Sequence, residues 1–338
     1  MVGVGVEARR GPSPTLEPTL SMEGRAVETS RKPRRVPKNI VYNVDGASYG
    51  LDNGLVEAIQ TSIRSRLQQG TFVMPRLPQA AVRILQLSED ADVDLSDVTE
   101  VVSTDPGLAA RLLSIANSAA YAGSAQVQGL GPALSRLGMK TVSNLVFAES
   151  IQSKVFSVRE YRSLLEQSWQ VSLGAAVACE HLSRATGLES EGAFLIGLLH
   201  DVGVPALVNA VNELSRQNLG RPLEEEVVEI LISQLHEETG AHVLREWGMP
   251  AAAIAAAGNH HLYRNHPDTP PACRLIHAAV LVGQHLGIGG EPREIHFTIE
   301  HAFRDLGLND TARMEPIVEA VSVQIAGLMS GFAANGSH

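Results

Sequence analysis

Residues 77–121, LPQAAVRILQLSEDADVDLSDVTEVVSTDPGLAARLLSIANSAAY, decide the fold, because helix punctuation and helical hydrophobic spacing alternate there three times in succession. Pro78 opens a first helix with apolar positions at Val82, Leu85 and Leu87. Ser96 is expected to cap the next helix, which ends near Thr104. Asp105-Pro106 then restarts the chain, with the aspartate as N-cap and the proline at the first helical position, where a missing N–H costs nothing. Leu108, Leu112, Ile115 and Ala116 form the buried face of this third helix. Asn117-Ser118 ends it, since both side chains compete for backbone hydrogen bonds.

The same reading extends in both directions. Upstream, Leu55, Ile59, Ile63 and Leu67 recur every four residues in a leading amphipathic helix (50–70) that Gly70 closes. Such a helix either dimerises or packs on its own domain, the commoner case. Downstream, Gly138 separates a helix around Ala133–Leu137 from one starting near Lys140. Past a boundary near residues 153–163, helices are predicted over Trp169–Leu182, Gly192–His200, Leu223–Gln234 and Thr239–Trp247. Gly248 ends the last of these, and Pro250 opens another that runs to His260-His261. Arg274–Leu286 and Pro316–Leu328 complete the set. No segment reads as a run of strands and no internal repeat is visible, so the expected class is all-α, with two lobes.

Composition sets outer bounds. Apolar residues make up 44% of the 338 residues and aromatics only 4%, a mixture that favours helices packed through small side chains. The two cysteines, Cys179 and Cys273, match no paired or metal-binding spacing, which points to a reducing, cytoplasmic setting. No apolar run is expected to reach the length of a membrane span. The net charge of −10 is uneven: residues 1–40 carry eight basic and four acidic residues, leaving −14 on the rest. An acidic body repels phosphates, so nucleic acid is not an expected partner for it. The arm, residues 1–45, with its prolines and no hydrophobic period, reads as disordered and basic.

The chain resembles the HDOD domains, HD-related output domains of bacterial signalling proteins. The matching elements are Leu77-Pro78, Asp105-Pro106, Leu112-Leu113, Asn117-Ser118 and Leu137-Gly138. GLLHDVG at 197–203, His236, the WGMP of Trp247–Pro250 and His260-His261 continue the match. The resemblance implies an HDOD domain over 71–290, with an N-terminal lobe (about 71–155), an HD-like lobe (about 160–290) and a C-terminal helical extension at 291–338. It gives Pro78, Asp105, Pro106, Asn117, Ser118, Gly138, Trp247 and Pro250 structural roles.

A hydrolytic HD site needs a histidine on an early helix, the His-Asp pair and a distal aspartate, arranged around a divalent ion with room for an attacking water. By the resemblance, the early histidine is replaced by Val171 and the distal aspartate by Val280, and a valine has no lone pair. His200, Asp201, His236, His260 and His261 remain, and the reading adopted is a vestigial polar cluster without catalytic residues or a required cofactor. Binding of Zn, Ni or Fe through these same residues is the alternative. His277 lies one turn before Val280, at the wrong spacing for a simple swap. The other histidines, His181, His242, His266, His285, His296, His301 and His338, show no ligand spacing, and no phosphate loop or nucleophile elbow is present.

The expected function is a non-catalytic signalling output or scaffold module that binds other regulatory proteins, with possible nucleotide or second-messenger input. The alternative is a divergent metal-dependent HD-type phosphohydrolase acting on a nucleotide or cyclic dinucleotide. Oligomerisation is left open.

Overall fold

A computed structural model describes residues 53–88, 94–156, 158–188, 192–261 and 270–333. The expected disordered arm lies outside the described residues, as do His266 and His338. Among the described residues every regular element is a helix.

The stretch that opened the sequence reading forms α2 (Gln79–Ser88), α3 (Leu95–Ser103) and α4 (Pro106–Ala116). Asp105 caps α4 as expected, its carboxylate accepting from the N–H groups of Gly107 and Leu108. The cap of α3 differs. Asp94 holds the N–H groups of Ser96 and Asp97, while the Asp97 carboxylate accepts from the Asp94 N–H. This reciprocal box satisfies donors on both sides and outcompetes a serine placed inside the first turn. In α2 the core receives Ala81, Ile84 and Leu87, while Leu85 packs at its edge.

Asn117 does more than end α4. Its side chain bonds the Leu113 carbonyl and both the N–H and carbonyl of Val127, tying the helix end to the following loop. That loop leads to α5 (Leu130–Leu137) and α6 (Met139–Val155), with Gly138 between them at a φ of 79° that L side chains rarely adopt. Trp247 ends the long helix Glu225–Glu246 and donates from Nε1 to the Pro75 carbonyl, just ahead of Pro78 and α2.

The second half contains α7 (Arg162–Thr186), α8 (Ala193–Leu199), α9 (Gly203–Leu219), α10 (Glu225–Glu246), α11 (Ala251–Asn259) and α12 (Pro271–His285). Three expectations fail here. α9 went unpredicted although Asn209, Asn212, Glu213 and Arg216 give it a polar stripe, because Gly203 and Pro205 in its first turn are residue types that usually mark loops. The two helices expected over Leu223–Trp247 are one, since nothing between Gln234 and Thr239 breaks the backbone. Residues Ala193–Leu219 are also, by length and hydropathy, long enough to cross a membrane, against expectation. In this fold 83% of their most apolar window is buried, and they serve as the central core helices.

α1 (Asn53–Gln68) packs on α9 and α10 of its own chain, burying Val56, Ile63 and Leu67. After α13 (His301–Asp305), α14 (Thr311–Ala333) starts earlier than expected because Asp310 caps it, accepting from the Ala312 N–H. α14 lies against both α4 and α7. A Cβ on Gly331 would overlap Ile115 of α4, while Phe332 meets Trp169 of α7 edge-on at 5.7 Å. One continuous hydrophobic core therefore joins the two halves.

Leu112 is 1% exposed at the centre of the first half. Leu112→Ala is expected to cost about 2–5 kcal/mol, the range for a buried leucine truncation. A loss below about 1 kcal/mol in urea unfolding would show that this face of α4 is misplaced.

Candidate functional site

The HD pair sits where an apolar helix stops. α8, AFLIGLL, has no polar face, so its neighbours must come close on every side. A Cβ on Gly197 would overlap the Ala175 carbonyl of α7, and one on Gly203 would overlap the His236 carbonyl of α10. Only glycines admit these approaches. The turn His200-Asp201-Val202 is thereby pressed between α7 and α10.

Five residues singled out in the sequence do come together. His200, Asp201, His236 and His260 are 1%, 6%, 1% and 2% exposed, while His261 is exposed. Asp201 Oδ2 lies 3.2 Å from His200 Nε2. Asp201 Oδ1 lies 3.3 Å from His260 Nε2 and 3.8 Å from His236 Nε2. The two Nε2 atoms of His236 and His260 are 3.3 Å apart.

The other face of each ring fixes its tautomer. Nδ1 of His200 meets the Gly197 carbonyl and Nδ1 of His236 the Ile232 carbonyl, both at 2.7 Å. Nδ1 of His260 lies 3.2 Å from the carbonyls of Ala256 and Ala257. A carbonyl only accepts, so each Nδ1 carries a proton and each neutral ring turns an Nε2 lone pair inward. Three lone pairs and a carboxylate then converge, an arrangement that repels itself unless a proton or a cation lies between.

One proton goes part of the way. Burial pulls the His260 pKa down, but the hydrogen bond and charge of Asp201, with Glu237 behind, outweigh it and leave the pKa raised. Burial pushes the His236 pKa down to about 4, with the Asp201 charge opposing. For Asp201, burial favours the neutral acid, yet His200 and His260 hold its pKa well below the usual range. His260 as imidazolium can serve both Asp201 and His236. Asp201 Oδ1 nevertheless keeps no well-directed hydrogen bond. A cation would complete it, and the donor set suits one: imidazole Nε2 atoms and a carboxylate, with Nδ1–H groups anchored on backbone carbonyls. His200, Asp201 and His260 are close enough to share an ion, as are His236, His260 and His261.

Sequence reasoning missed Glu237. Its Oε1 accepts the His261 N–H at 3.0 Å and lies 3.7 Å from His260 Nδ1, so it orients both histidines from outside the cluster. Adjacency to His236 was the available signal. His277 turns its Nδ1 to the His260 carbonyl, 3.2 Å away, and so braces the backbone of α11. Val171 and Val280 also meet, across a cleft of about 40 Å³ between α7 and α12. None of the five cluster residues is among its described walls. Gly289 presses on Val171, and its carbonyl accepts from Gln167 Nε2, so a loop fills the place beside both valines.

With this geometry, the comparisons fix the family. The HDOD domain model matches residues 74–263, and the chain belongs to the HDOD family. A Shewanella amazonensis SB2B protein provisionally named a metal-dependent phosphohydrolase has a similar fold, with a TM-score of 0.64 at 16% identity over 81% of this chain and 99% of its own. A Marinobacter aquaeolei VT8 protein, provisionally named for signal transduction, superposes with a TM-score of 0.55 at 22% identity, covering 81% of this chain and 65% of its own. An uncharacterized protein of Treponema pallidum (strain Nichols) is 26% identical over 204 residues, 58% of this chain and 39% of the relative. The chain thus spans well under half the length of that relative.

Two predictions follow from the packing. Gly203→Ala should destabilise by at least about 2 kcal/mol, because the overlap is with backbone rather than a movable side chain. An urea midpoint within error of the parent would mean α9 and α10 are not held this close. The second concerns acid. Between pH 6.5 and about 4 the unfolded chain protonates His236 and the folded chain does not, so stability must fall as pH drops through that window. Metal-free protein unfolded in urea at pH 7 and pH 5 should show this fall, and His236→Gln should reduce it.

Proposed function

We propose that this chain is a non-catalytic signalling module of the HDOD family, acting in the cytoplasm by binding other regulatory proteins. The observation that carries this reading is the closure of the His-Asp cluster. Hydrolysis of a phosphate ester requires a metal-bound water in line with phosphorus. His200, Asp201, His236 and His260 are all at most 6% exposed, which restricts a substrate's approach to their donor atoms, and of the five residues only His261 is exposed. Buried free thiols at Cys179 and Cys273 are in keeping with a reducing compartment.

The cluster then works as a clasp. It joins the end of α8 to α10 and α11, the elements that bear His236 and His260. An ion, where bound, would be held either by His200, Asp201 and His260 or by His236, His260 and His261, and would supply positive charge at the centre of the clasp. A second reading, a divergent metal-dependent phosphohydrolase, draws on one observation: Asp201 Oδ1 is buried without a well-directed hydrogen bond.

Asp201→Ala separates the two. The module reading expects a loss of about 1–3 kcal/mol, as buried histidines lose their acceptor, and no turnover of bis(p-nitrophenyl) phosphate by either protein. Stoichiometric metal in protein purified without chelator, together with turnover that disappears in Asp201→Ala, would overturn the module reading.

A further inference from the structure

α10 and α11 also form an open groove, on the side of α10 opposite His236. Residues 238, 241, 242 and 245 share that side by helical spacing. Ala241, Ala255 and Gly258 line the groove, Arg245 and Ala251 lie at one end, and the last turn of α1 closes a side. Its volume is about 620 Å³, within the span of small-molecule sites.

The lining defines the ligand. Arg245 and His242 stand one turn apart and both line the groove. Among the described residues neither the guanidinium nor the imidazole has a hydrogen bond or ion pair, and His242 meets the Phe72 ring edge-on at 6.3 Å. The carboxylate in the wall, Glu238, is engaged by Arg64 of α1 at 3.2 Å. Two donors suited to an anion thus stand uncompensated beside an apolar surface. That surface is made chiefly by the half-buried Ile254 and Ala255 of α11, which packs so closely on α10 that a Cβ on Gly258 would come within 3.1 Å of the Ala241 methyl. α1, which closes the groove, precedes the family-matched residues 74–263, so the groove is not a family feature alone.

We propose that this groove binds a nucleotide, with Arg245 and His242 on the phosphate and the base on the Ile254–Ala255 surface. A guanidinium grips phosphate oxygens through paired N–H donors, and an imidazole adds a third. The ligand would touch α1 and α10 together and hold α1 in place. This assigns a site to the small-molecule input of the signalling module, and the binding itself does not depend on whether the histidine cluster is catalytic.

Isothermal titration of the full chain with inorganic phosphate, AMP, GTP and cyclic di-GMP, with and without EDTA, tests it. The expected result is saturable one-to-one binding of a nucleotide, insensitive to EDTA and weaker by about tenfold or more in Arg245→Gln, the loss of a charge-assisted contact. Ala251→Glu, which sets a carboxylate at the mouth, should weaken it similarly. Both positions are exposed, so circular dichroism melts should match the parent. The proposal is overturned if no nucleotide binds, or if binding survives both substitutions. Binding abolished by EDTA would place the ligand at the histidine cluster and overturn it equally. Phosphate-ester turnover, read separately, bears on the module reading alone.

Discussion

The contact between Gly203 and the His236 carbonyl governs the second half of the molecule. Two helices that cross without a side chain between them put their backbones close together, and everything on either side is then fixed. On one side the turn carrying His200 and Asp201 is held against α10. On the other, Val204, Ala206, Leu207, Val208 and Val211 of α9 are buried, while Asn209, Asn212, Glu213 and Arg216 form its less deeply packed side. Gly197 repeats the device against α7. A chain poor in aromatics packs by bringing backbones together rather than by filling space with large side chains.

That close packing also explains the character of the polar cluster. Histidines whose Nδ1–H groups are anchored on carbonyls of their own helices cannot turn their rings freely. Their Nε2 atoms must face Asp201, whatever occupies the space between. The cluster is therefore rigid before any proton or ion is added, and its energy depends on which positive charge it holds. Glu237 sits behind it as a second acceptor and tilts the balance towards charge on His260.

How much of this was legible in the sequence differs by element. The Asp105-Pro106 restart, the Gly138 break and the His200-Asp201 pair were readable, because a cap, a left-handed backbone and a ligand-like pair depend on local chemistry. α9 was not, since Gly203 and Pro205 in its first turn are residue types that usually mark loops. Asp94 was passed over for Ser96 because the reciprocal bond from Asp97 depends on three-dimensional register. Within the site, the meeting of five residues from the end of α8, α10 and α11 was expected from the family likeness. The role of Glu237 was not, because its adjacency to His236 says nothing of His260 and His261, which it meets across space. His242 and Arg245 were not singled out either, because their lack of hydrogen-bond or ion-pair partners among the described residues shows only in three dimensions.

α14 has a consequence for how the chain reaches this shape. Its Gln324 bonds Tyr121 across 203 residues of sequence and also meets His181. Gly331 and Phe332 seat the helix on Ile115 and Trp169. The faces of α4 and α7 that it covers are made early in synthesis, and they stay uncovered until more than a hundred further residues have left the ribosome. Apolar surface exposed over that interval is a site for chaperones and for aggregation. Contacts this distant in sequence close last and slowly. The core between α4 and α7 is thus completed only by the last described helix, and not by the helices that bear the histidines.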